Sequence, residues 1–178
     1  MVLAIVGSLS VAHAESGIYG GLDATVGTGT HSITRDGTVV AESDSLTSSS
    51  YGLHAGYILS ESGRVELSFS GINLEDDNIK SVGADYLYTL GGKSSFKPYI
   101  GAGVSYNSLD TGNSTESFTG TGLRVRLGSY FELLPNVELG AELNYNYINW
   151  ENTTDSLGRD WTLSSSYYGV GVNLNFKF

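Results

Sequence analysis

The sequence predicts an all-β fold, an eight-stranded antiparallel up-and-down transmembrane β-barrel, and three observations lead to it. The stretch 168–178 places a large apolar residue at every second position, with glycine, asparagine or lysine between. This period of two indicates a strand with two different faces. The same alternation recurs in seven further segments, and closing these strands into a barrel removes the apolar edge that an open sheet would expose. No run of 18 apolar residues is present, so a membrane-spanning helix is not predicted.

The first four predicted strands are residues 17–27, 50–60, 64–72 and 79–90. Each carries mainly apolar residues at alternate positions and small or polar residues between them, as expected for a strand whose faces meet different surroundings. Polar or turn-forming stretches separate them: 28–49 is long, 61–63 is a tight turn, and 73–77 is a short acidic link.

The last four predicted strands are residues 96–107, 118–132, 137–149 and 161–178. Pro98 lies near a strand start, where a missing backbone donor is tolerated. The connections 91–95 and 133–136 are short, whereas 108–117 and 151–160 are longer and polar. Alternating short and long connections are typical of a membrane barrel with tight turns at one end and loops at the other.

Composition narrows the possible functions. The chain has no cysteine, which excludes a disulfide framework and a cysteine-based zinc site. Its formal charge of −10 argues against nucleic-acid binding, which needs a basic surface. Residues 1–14 resemble a signal peptide truncated at its start, with Ala12-His13-Ala14 as the cleavage pattern, and 15–178 would then form the mature barrel domain.

Glycine and charge predict which face looks outward. A soluble barrel of the lipocalin type would show the same alternation with the apolar face inside. Here the polar face is rich in glycine, which suits a narrow bore and weakens a solvated strand. That face also carries six acidic and five basic residues, close to the balance an enclosed interior needs. The four loops 28–49, 73–77, 108–117 and 151–160 hold eleven acidic and two basic residues, hence most of the net charge.

Aromatic residues mark the two ends of the predicted apolar band. At the short-turn end they are Tyr57, Tyr88, Phe96, Phe131, Phe176 and Phe178. Toward the loop end they are Tyr51, Phe118, Tyr145 and Tyr147, with Trp150 and Trp161 beyond. Two aromatic girdles around an aliphatic band are typical of barrels in lipid.

Charged residues on the polar faces predict an ion-pair network inside the barrel. Its members are Asp23, Glu66, Asp85, Arg124, Arg126 and Glu142. A tight turn at 133–136 would pair Phe131 with Val137 and set Arg126 opposite Glu142. The network would plug the bore and fix the register of the strands; the alternative is a small ion path gated by rearranging pairs, which eight strands disfavour.

Two segments carry a family resemblance: 96–106, which reads FKPYIGAGVSY, and 169–178, which reads GVGVNLNFKF. They resemble the small outer-membrane barrels of Gram-negative bacteria, namely the OmpA membrane domain, OmpX and opacity-type surface proteins. The resemblance implies an interior salt-bridge network and a closing strand, ending in Phe178, that the barrel-assembly machinery reads. It also implies export to the outer membrane, in contact with its lipid and lipopolysaccharide.

The expected function is structural and surface-exposed, with acidic loops that bind an adhesion target or a host factor. One alternative is a narrow porin-like channel of low conductance. The other alternative is a lipid A-modifying enzyme. Its only support is that His31 and Ser32 are neighbours, and the third group that would position the histidine as a base is missing from this pattern. We therefore predict no catalytic residue, no metal site and no cofactor, and we expect a monomer.

Overall fold

A computed structural model gives the fold and describes residues 17–74, 77–91, 95–111, 117–154 and 158–178. The predicted signal peptide, 1–14, lies outside the described residues. Within those ranges no helix is long and apolar enough to span a membrane.

Within the described ranges, eight long strands and one very short strand follow one another along the chain. They are β1 (Ile18–Arg35), β2 (Thr38–Ile58), β3 (Gly63–Leu74), β4 (Asp77–Thr89), β5 (Phe96–Thr111), β6 (Ser117–Leu134), β7 (Val137–Trp150), β8 (Thr153–Thr154) and β9 (Asp160–Lys177). Each long strand pairs antiparallel with the next long strand. β9 also pairs with β1, from Tyr19 opposite Lys177 to Arg35 opposite Trp161, and this closes the barrel. The predicted eight-stranded up-and-down barrel is confirmed, with β8 as a two-residue addition to β9.

The apolar face of the wall points outward. Val26, Leu67 and Leu123 are each more than 60% exposed, whereas Glu66, Arg126 and Glu138 are buried inside. This is the predicted orientation, and the lipocalin-type inversion is wrong for this chain. It follows from the period of two, since a strand that lines a barrel sends alternate side chains to the bore and to the surroundings.

Glycine lines the bore because larger residues do not fit there. A methyl group added at Gly103 would collide with the Asp85 carboxylate and the Ala84 carbonyl, and one at Gly140 would collide with Asn173. At Gly83 the obstacle is the Arg124 guanidinium. The long polar side chains of the interior therefore occupy the space that these glycines leave open.

The predicted loop 28–49 is wrong, because most of it is strand. β1 and β2 continue as a hairpin to Asp36 and Gly37, which have positive φ angles of 47° and 80°. Asp-Gly with two positive φ values is the sequence signal of a tight hairpin turn. The polar composition of 28–49 concealed this hairpin from the sequence analysis. A strand needs an apolar face only within lipid, and threonine and valine, which are frequent here, favour strands beyond it as well.

The other three predicted loops are also shorter than expected. β5 continues to Thr111 and β6 begins at Ser117, while β3 and β4 leave only residues 75–76 between them, outside the described residues. β8 lies within 151–160. We call the end with the connections 59–62, 90–95 and 135–136 the turn end, and the opposite end, which includes Asp36 and Gly37, the loop end.

Candidate functional site

At the turn end, three cationic side chains gathered around one buried carboxylate fill the interior of the barrel. Glu138 is fully buried and accepts two hydrogen bonds from Arg64, at 2.7 and 3.1 Å. Lys177 and Lys97 lie 3.3 and 3.5 Å from the same carboxylate, and Lys97 also pairs with Glu132 at 3.1 Å. We refer to these five residues as the turn-end cluster. Three cations compensate the charge that burial would otherwise make costly.

Aromatic rings pack next to the turn-end cluster. The Arg64 guanidinium lies 4.5 Å from the ring centroid of Tyr130 and 5.5 Å from that of Tyr19. Tyr130 is stacked on Tyr99, with 4.4 Å between centroids, and Leu87 packs with this pair. These two cation–π contacts help to position the guanidinium while its nitrogens bond to Glu138.

The middle of the bore holds the predicted ion-pair residues. Arg126 lies 2.5 Å from Glu66, 2.8 Å from Glu142 and 3.7 Å from Asp85. Arg124 binds Asp85 with two nitrogens, at 2.5 and 2.9 Å. Five of the six predicted residues thus form one connected group, which we call the central network.

Asp23 joins this group through His54, which the prediction did not include. His54 Nδ1 lies 2.9 Å from Asp23, and its Nε2 lies 2.5 Å from Asn175 and 3.9 Å from Glu66. Tyr19 donates a hydrogen bond to Glu66 at 3.0 Å. His54 was visible in the sequence as a titratable residue on a polar strand face, but its partners lie on three different strands, β1, β3 and β9, which the sequence alone does not bring together.

The predicted register of β6 and β7 is wrong, although the predicted pair forms. Phe131 lies opposite Leu139, and Arg126 lies opposite Asn144. The register shifts between Glu132 and Leu134, so the turn does not follow the simple count. Arg126 still reaches Glu142 diagonally, because long side chains on one face span a two-residue offset.

An apolar cluster fills the bore near the loop end. It consists of Ile79, Leu109, Ile148, Trp150 and Tyr167, and Ile72, Phe118 and Leu163 pack against it. The expectation that Phe118 and Trp150 belong to an outer girdle is therefore wrong. Trp150 is buried and donates a hydrogen bond to Ser165 Oγ at 2.7 Å. The alternation along β6 and β7 places Phe118 and Trp150 at inward positions. They had been assigned to the membrane interface only because they are aromatic and lie near strand ends.

The short-turn girdle lies on the outer wall. Tyr57, Tyr88, Phe96, Phe131 and Phe178 are exposed there, and Phe176 is half-buried. Phe96 and Phe131 are paired on neighbouring strands with 5.1 Å between ring centroids. At the loop end Tyr51, Tyr106, Tyr145, Tyr147 and Tyr168 are exposed on the outer wall. Their contact with the membrane interface stays a prediction.

The histidine considered for catalysis has a different serine as its partner. His31 Nδ1 lies 2.6 Å from Ser165 Oγ rather than bonding to Ser32. Ser165 is 1% exposed and also accepts the Trp150 hydrogen bond, so this hydroxyl is enclosed by protein. Among the described residues no group of three or more His, Asp or Glu side chains is arranged to hold a metal ion.

The wall is tallest where β2, β1 and β9 run side by side at the loop end. β3 begins to pair with β2 only at Ser48, opposite Leu74. β2 continues beyond this point to Thr38, paired with β1, while β9 covers the other side of β1 as far as Arg35. We call this part, residues 30–45, the protruding hairpin.

Comparison with known proteins identifies the family. The model of the outer membrane protein beta-barrel domain matches residues 1–176. The structure of Neisserial surface protein A is similar, with 26% identity, a TM-score of 0.65, and coverage of 93% of this chain and 100% of that one. None of the curated proteins compared matches the chain.

Two barrels from Pseudomonas aeruginosa share the fold. The N-terminal barrel domain of OprF has 18% identity and a TM-score of 0.55, with coverage of 88% of this chain and 97% of that one. OprG has 20% identity and a TM-score of 0.53, with coverage of 92% and 97%. With its closed eight-stranded wall, its outward apolar face and a family match over nearly its whole length, the chain belongs to the outer membrane protein β-barrel domain family.

Proposed function

We propose that this protein is a closed barrel that anchors in the outer membrane and presents its acidic loop end to the outside, where it binds an extracellular ligand. The observation that carries the proposal is the filled interior combined with the protruding hairpin. The bore is occupied in turn by the turn-end cluster, the central network and the apolar cluster. Such a barrel provides a rigid base for binding segments rather than a passage.

The filling of the bore supports a closed state. Arg126 and Arg124, both on β6, reach Glu66 on β3 and Asp85 on β4 across the bore, and Arg126 also binds Glu142 on the neighbouring β7. Separating these partners would leave buried charges uncompensated, which costs several kcal/mol per ion. An eight-stranded barrel has room for side chains and little more. The narrow channel, considered from the sequence, would require these partners to separate.

The protruding hairpin supports the surface role. On the outer face of β1, apolar residues end at Val26, and Thr28, Thr30 and Ser32 follow at alternate positions. The change from apolar to polar on one face is the change expected where a strand leaves lipid for water. The chain extends furthest past the apolar band at the loop end, through the protruding hairpin and the connection between β7 and β9. The longer extensions lie outside the cell in this class of barrel, so the loop end is assigned to the outside. The similar Neisserial protein is itself named a surface protein.

The proposal implies partners within the envelope. These are outer-membrane lipid, lipopolysaccharide and the barrel-assembly machinery, with export through a cleaved signal peptide. Phe178 directly follows β9, the strand that this machinery would read, and its backbone N–H donates a hydrogen bond to the Ile18 carbonyl at 2.9 Å. Reduced assembly of Phe178→Ala in cells, with unchanged folding of the purified variant into detergent, is the expected result.

Conductance in planar lipid bilayers tests the closed state. We expect at most small, infrequent events from the purified protein at neutral pH. A steady, large conductance would show that the interior layers do not block the bore and would favour the channel instead.

Site-specific labelling tests the surface role, and the absence of native cysteine makes it simple. Val39→Cys places a thiol on the protruding hairpin, at a side chain that is 57% exposed. Glu61→Cys places one at the turn end. A bulky maleimide polymer added to intact cells should modify the first variant and modify the second only after the outer membrane is disrupted. The reverse pattern would place the loop end in the periplasm and end the proposal.

A further inference from the structure

A pocket lies on the outer wall near the loop end, where β5, β6 and β7 run side by side. It has a volume of about 200 Å³ and is open to the surroundings. Five of the residues that line it have exposed side chains, and these are Tyr106, Thr121, Asn149, Glu151 and Asn152. We call it the rim pocket.

The register of three strands brings the rim pocket together. Tyr106 lies opposite Thr121, and Thr121 lies opposite Asn149, so these side chains form one row across the outer face. Side chains that are directly opposite on neighbouring strands have Cβ atoms about 4.5–5.5 Å apart. The Glu151 N–H donates a hydrogen bond to the Thr119 carbonyl at 2.8 Å, which holds the chain against β6 just after β7 ends. The pocket is therefore built on the wall of the barrel.

The rim pocket begins where the apolar belt ends. Leu123 and Tyr147 are opposite each other on β6 and β7, and both are exposed on the outer wall. The next outward positions toward the loop end are Thr121 and Asn149, which are polar. Tyrosine beside polar residues is typical of the headgroup level of a membrane. A ligand in the pocket would therefore lie beside the headgroups of the outer leaflet.

The lining of the rim pocket argues against three classes of ligand. None of the described lining residues is a cation, and Glu151 is acidic, so a phosphate or a carboxylate would be repelled. A metal ion lacks ligands, because the described residues contain no group of three or more His, Asp or Glu side chains placed to hold one. A hydrocarbon chain would take water from the hydroxyl, amide and carboxylate groups without replacing its hydrogen bonds. An uncharged ligand with many hydroxyl groups fits best.

We propose that the rim pocket binds one ring of a neutral sugar. The Tyr106 ring supplies an apolar surface for the C–H face of the sugar. The Glu151 carboxylate accepts hydrogen bonds from sugar hydroxyls, and the Asn149 amide both donates and accepts. Pockets for drug-sized ligands have volumes of about 300–1,000 Å³, so the smaller rim pocket suits a single ring. This site is separate from the protruding hairpin and rests on the proposed function only for the outward orientation of the loop end.

A neutral sugar can reach the rim pocket from two sources. One is the saccharide core of a neighbouring lipopolysaccharide, which starts at the headgroup level of the same membrane. The other is a glycan on another cell. Both sources offer the same ring chemistry to the pocket, so binding is tested first with free sugars and the source is tested afterwards.

Saturation-transfer NMR with the full-length protein in phospholipid nanodiscs tests binding, since nanodiscs avoid the sugar headgroups of maltoside detergents. The probes are glucose, galactose, mannose and N-acetylglucosamine, with glucuronate as an anionic comparison. We expect at least one of the neutral sugars to bind with a dissociation constant of about 1–10 mM, and glucuronate to bind more weakly than that sugar. Failure of all four neutral sugars, or equal binding of glucuronate, would overturn the inference.

Replacing the aromatic ring tests the location. Tyr106→Ala should weaken binding of that sugar about tenfold, because the surface for the C–H face is lost, whereas Tyr106→Phe should retain most of the binding. The matched control is Tyr145→Ala, which removes an exposed tyrosine of the same wall that does not line the pocket. Equal losses in Tyr106→Ala and Tyr145→Ala would show general adsorption to the aromatic wall and would contradict the inference.

A polar substitution tests the same location independently of the ring. Asn149→Ala should weaken binding about fivefold through the lost hydrogen bonds. Its control is Asn73→Ala, which changes an exposed asparagine on β3, away from the pocket. Heat-dependent gel mobility checks that each variant is folded, and if one variant fails to fold, the other still decides the location. Equal binding by Asn149→Ala and Asn73→Ala would contradict the assigned contacts.

Vesicles of two compositions distinguish the sources. One contains lipopolysaccharide with a complete core, and the other contains lipopolysaccharide cut back to lipid A and its first acidic sugars. If the core of the same membrane fills the pocket, the free sugar should bind only in the second kind of vesicle; binding in both assigns the pocket to a glycan of another cell. If no neutral sugar binds while Val39→Cys is still labelled from outside and the bilayers remain silent, only the rim-pocket inference falls and the closed surface barrel stands.

Discussion

At the scale of single residues, the buried charges of the interior are matched to partners on other strands, some adjacent and some across the bore. Glu138 shows this most clearly, because it is fully buried and meets Arg64, Lys97 and Lys177, which come from three other strands. A buried ion pair adds little net stability compared with a well-packed apolar pair, but removing one partner leaves the other buried and unpaired. Such a residue therefore affects stability strongly when it is replaced.

The first prediction follows from this cluster. Glu138→Gln should lower the free energy of unfolding by about 3–5 kcal/mol, because Arg64 and Lys177 then lose the carboxylate that they share and Lys97 keeps only Glu132. The control is Glu132→Gln, the same chemical change on a half-exposed partner of Lys97, which should cost about 0–1 kcal/mol. Urea unfolding in detergent, followed by the heat-dependent shift in gel mobility, measures both. Equal losses would contradict the role assigned to Glu138.

The second prediction concerns the glycines of the bore. Gly103→Ala should destabilise the barrel by about 1–3 kcal/mol, because its added methyl group meets both the Asp85 carboxylate and a backbone carbonyl. Gly71→Ala is the control, since the nearest atoms to its methyl group belong to the Tyr51 ring at 3.6 Å, an ordinary contact. The same unfolding assay measures both variants, and an unchanged Gly103→Ala protein would show that the central network can move aside.

At the scale of elements, alternation revealed strands only where two different surroundings impose it. Strands such as β7, with Leu139, Leu143 and Tyr147 outside, were predictable because lipid selects one face and the bore selects the other. The protruding hairpin was missed because it continues past the apolar band of the wall, where its residues are mostly polar and show no clear alternation. The ion-pair residues were predictable as inward and charged, but their pairing was not, since a register shift at Glu132 is invisible to residue counting.

The third prediction tests whether the protruding hairpin is separate from the barrel. Replacing residues 30–45 by Asn-Gly keeps Gly29 opposite Leu46 and supplies a favourable two-residue turn. The shortened protein should still fold and show heat-dependent gel mobility, because the central network and the turn-end cluster use none of the deleted residues. Circular dichroism should report less strand. Failure to fold in detergent would show that the hairpin is part of the folding unit.

At the scale of the whole molecule, the apolar residues form the outer surface and the charged and polar residues fill the interior, the reverse of a water-soluble protein. The outer wall from Val137 to Tyr147 spans eleven residues, about 33 Å of strand, and a tilt of about 40° reduces this to about 25 Å across the membrane. That height equals the apolar band of an outer membrane. The cost of a charge on the wall should therefore depend on its depth, a dependence that no water-soluble barrel would show.

The fourth prediction uses this depth dependence. Leu143 is 55% exposed and lies between Leu127 and Val170 near mid-height, so Leu143→Arg should cost about 2–4 kcal/mol when the protein folds into lipid vesicles. Thr121→Arg, on the adjacent strand at the loop-end rim and opposite Asn149, should cost only about 0–1 kcal/mol. Equilibrium folding from urea into vesicles measures both. A wall exposed to water would accept arginine equally well at either height. Equal losses of folding free energy in the two variants would therefore show that the belt is not embedded in lipid at the expected depth. The same conclusion would follow if both variants became more stable and folded without lipid.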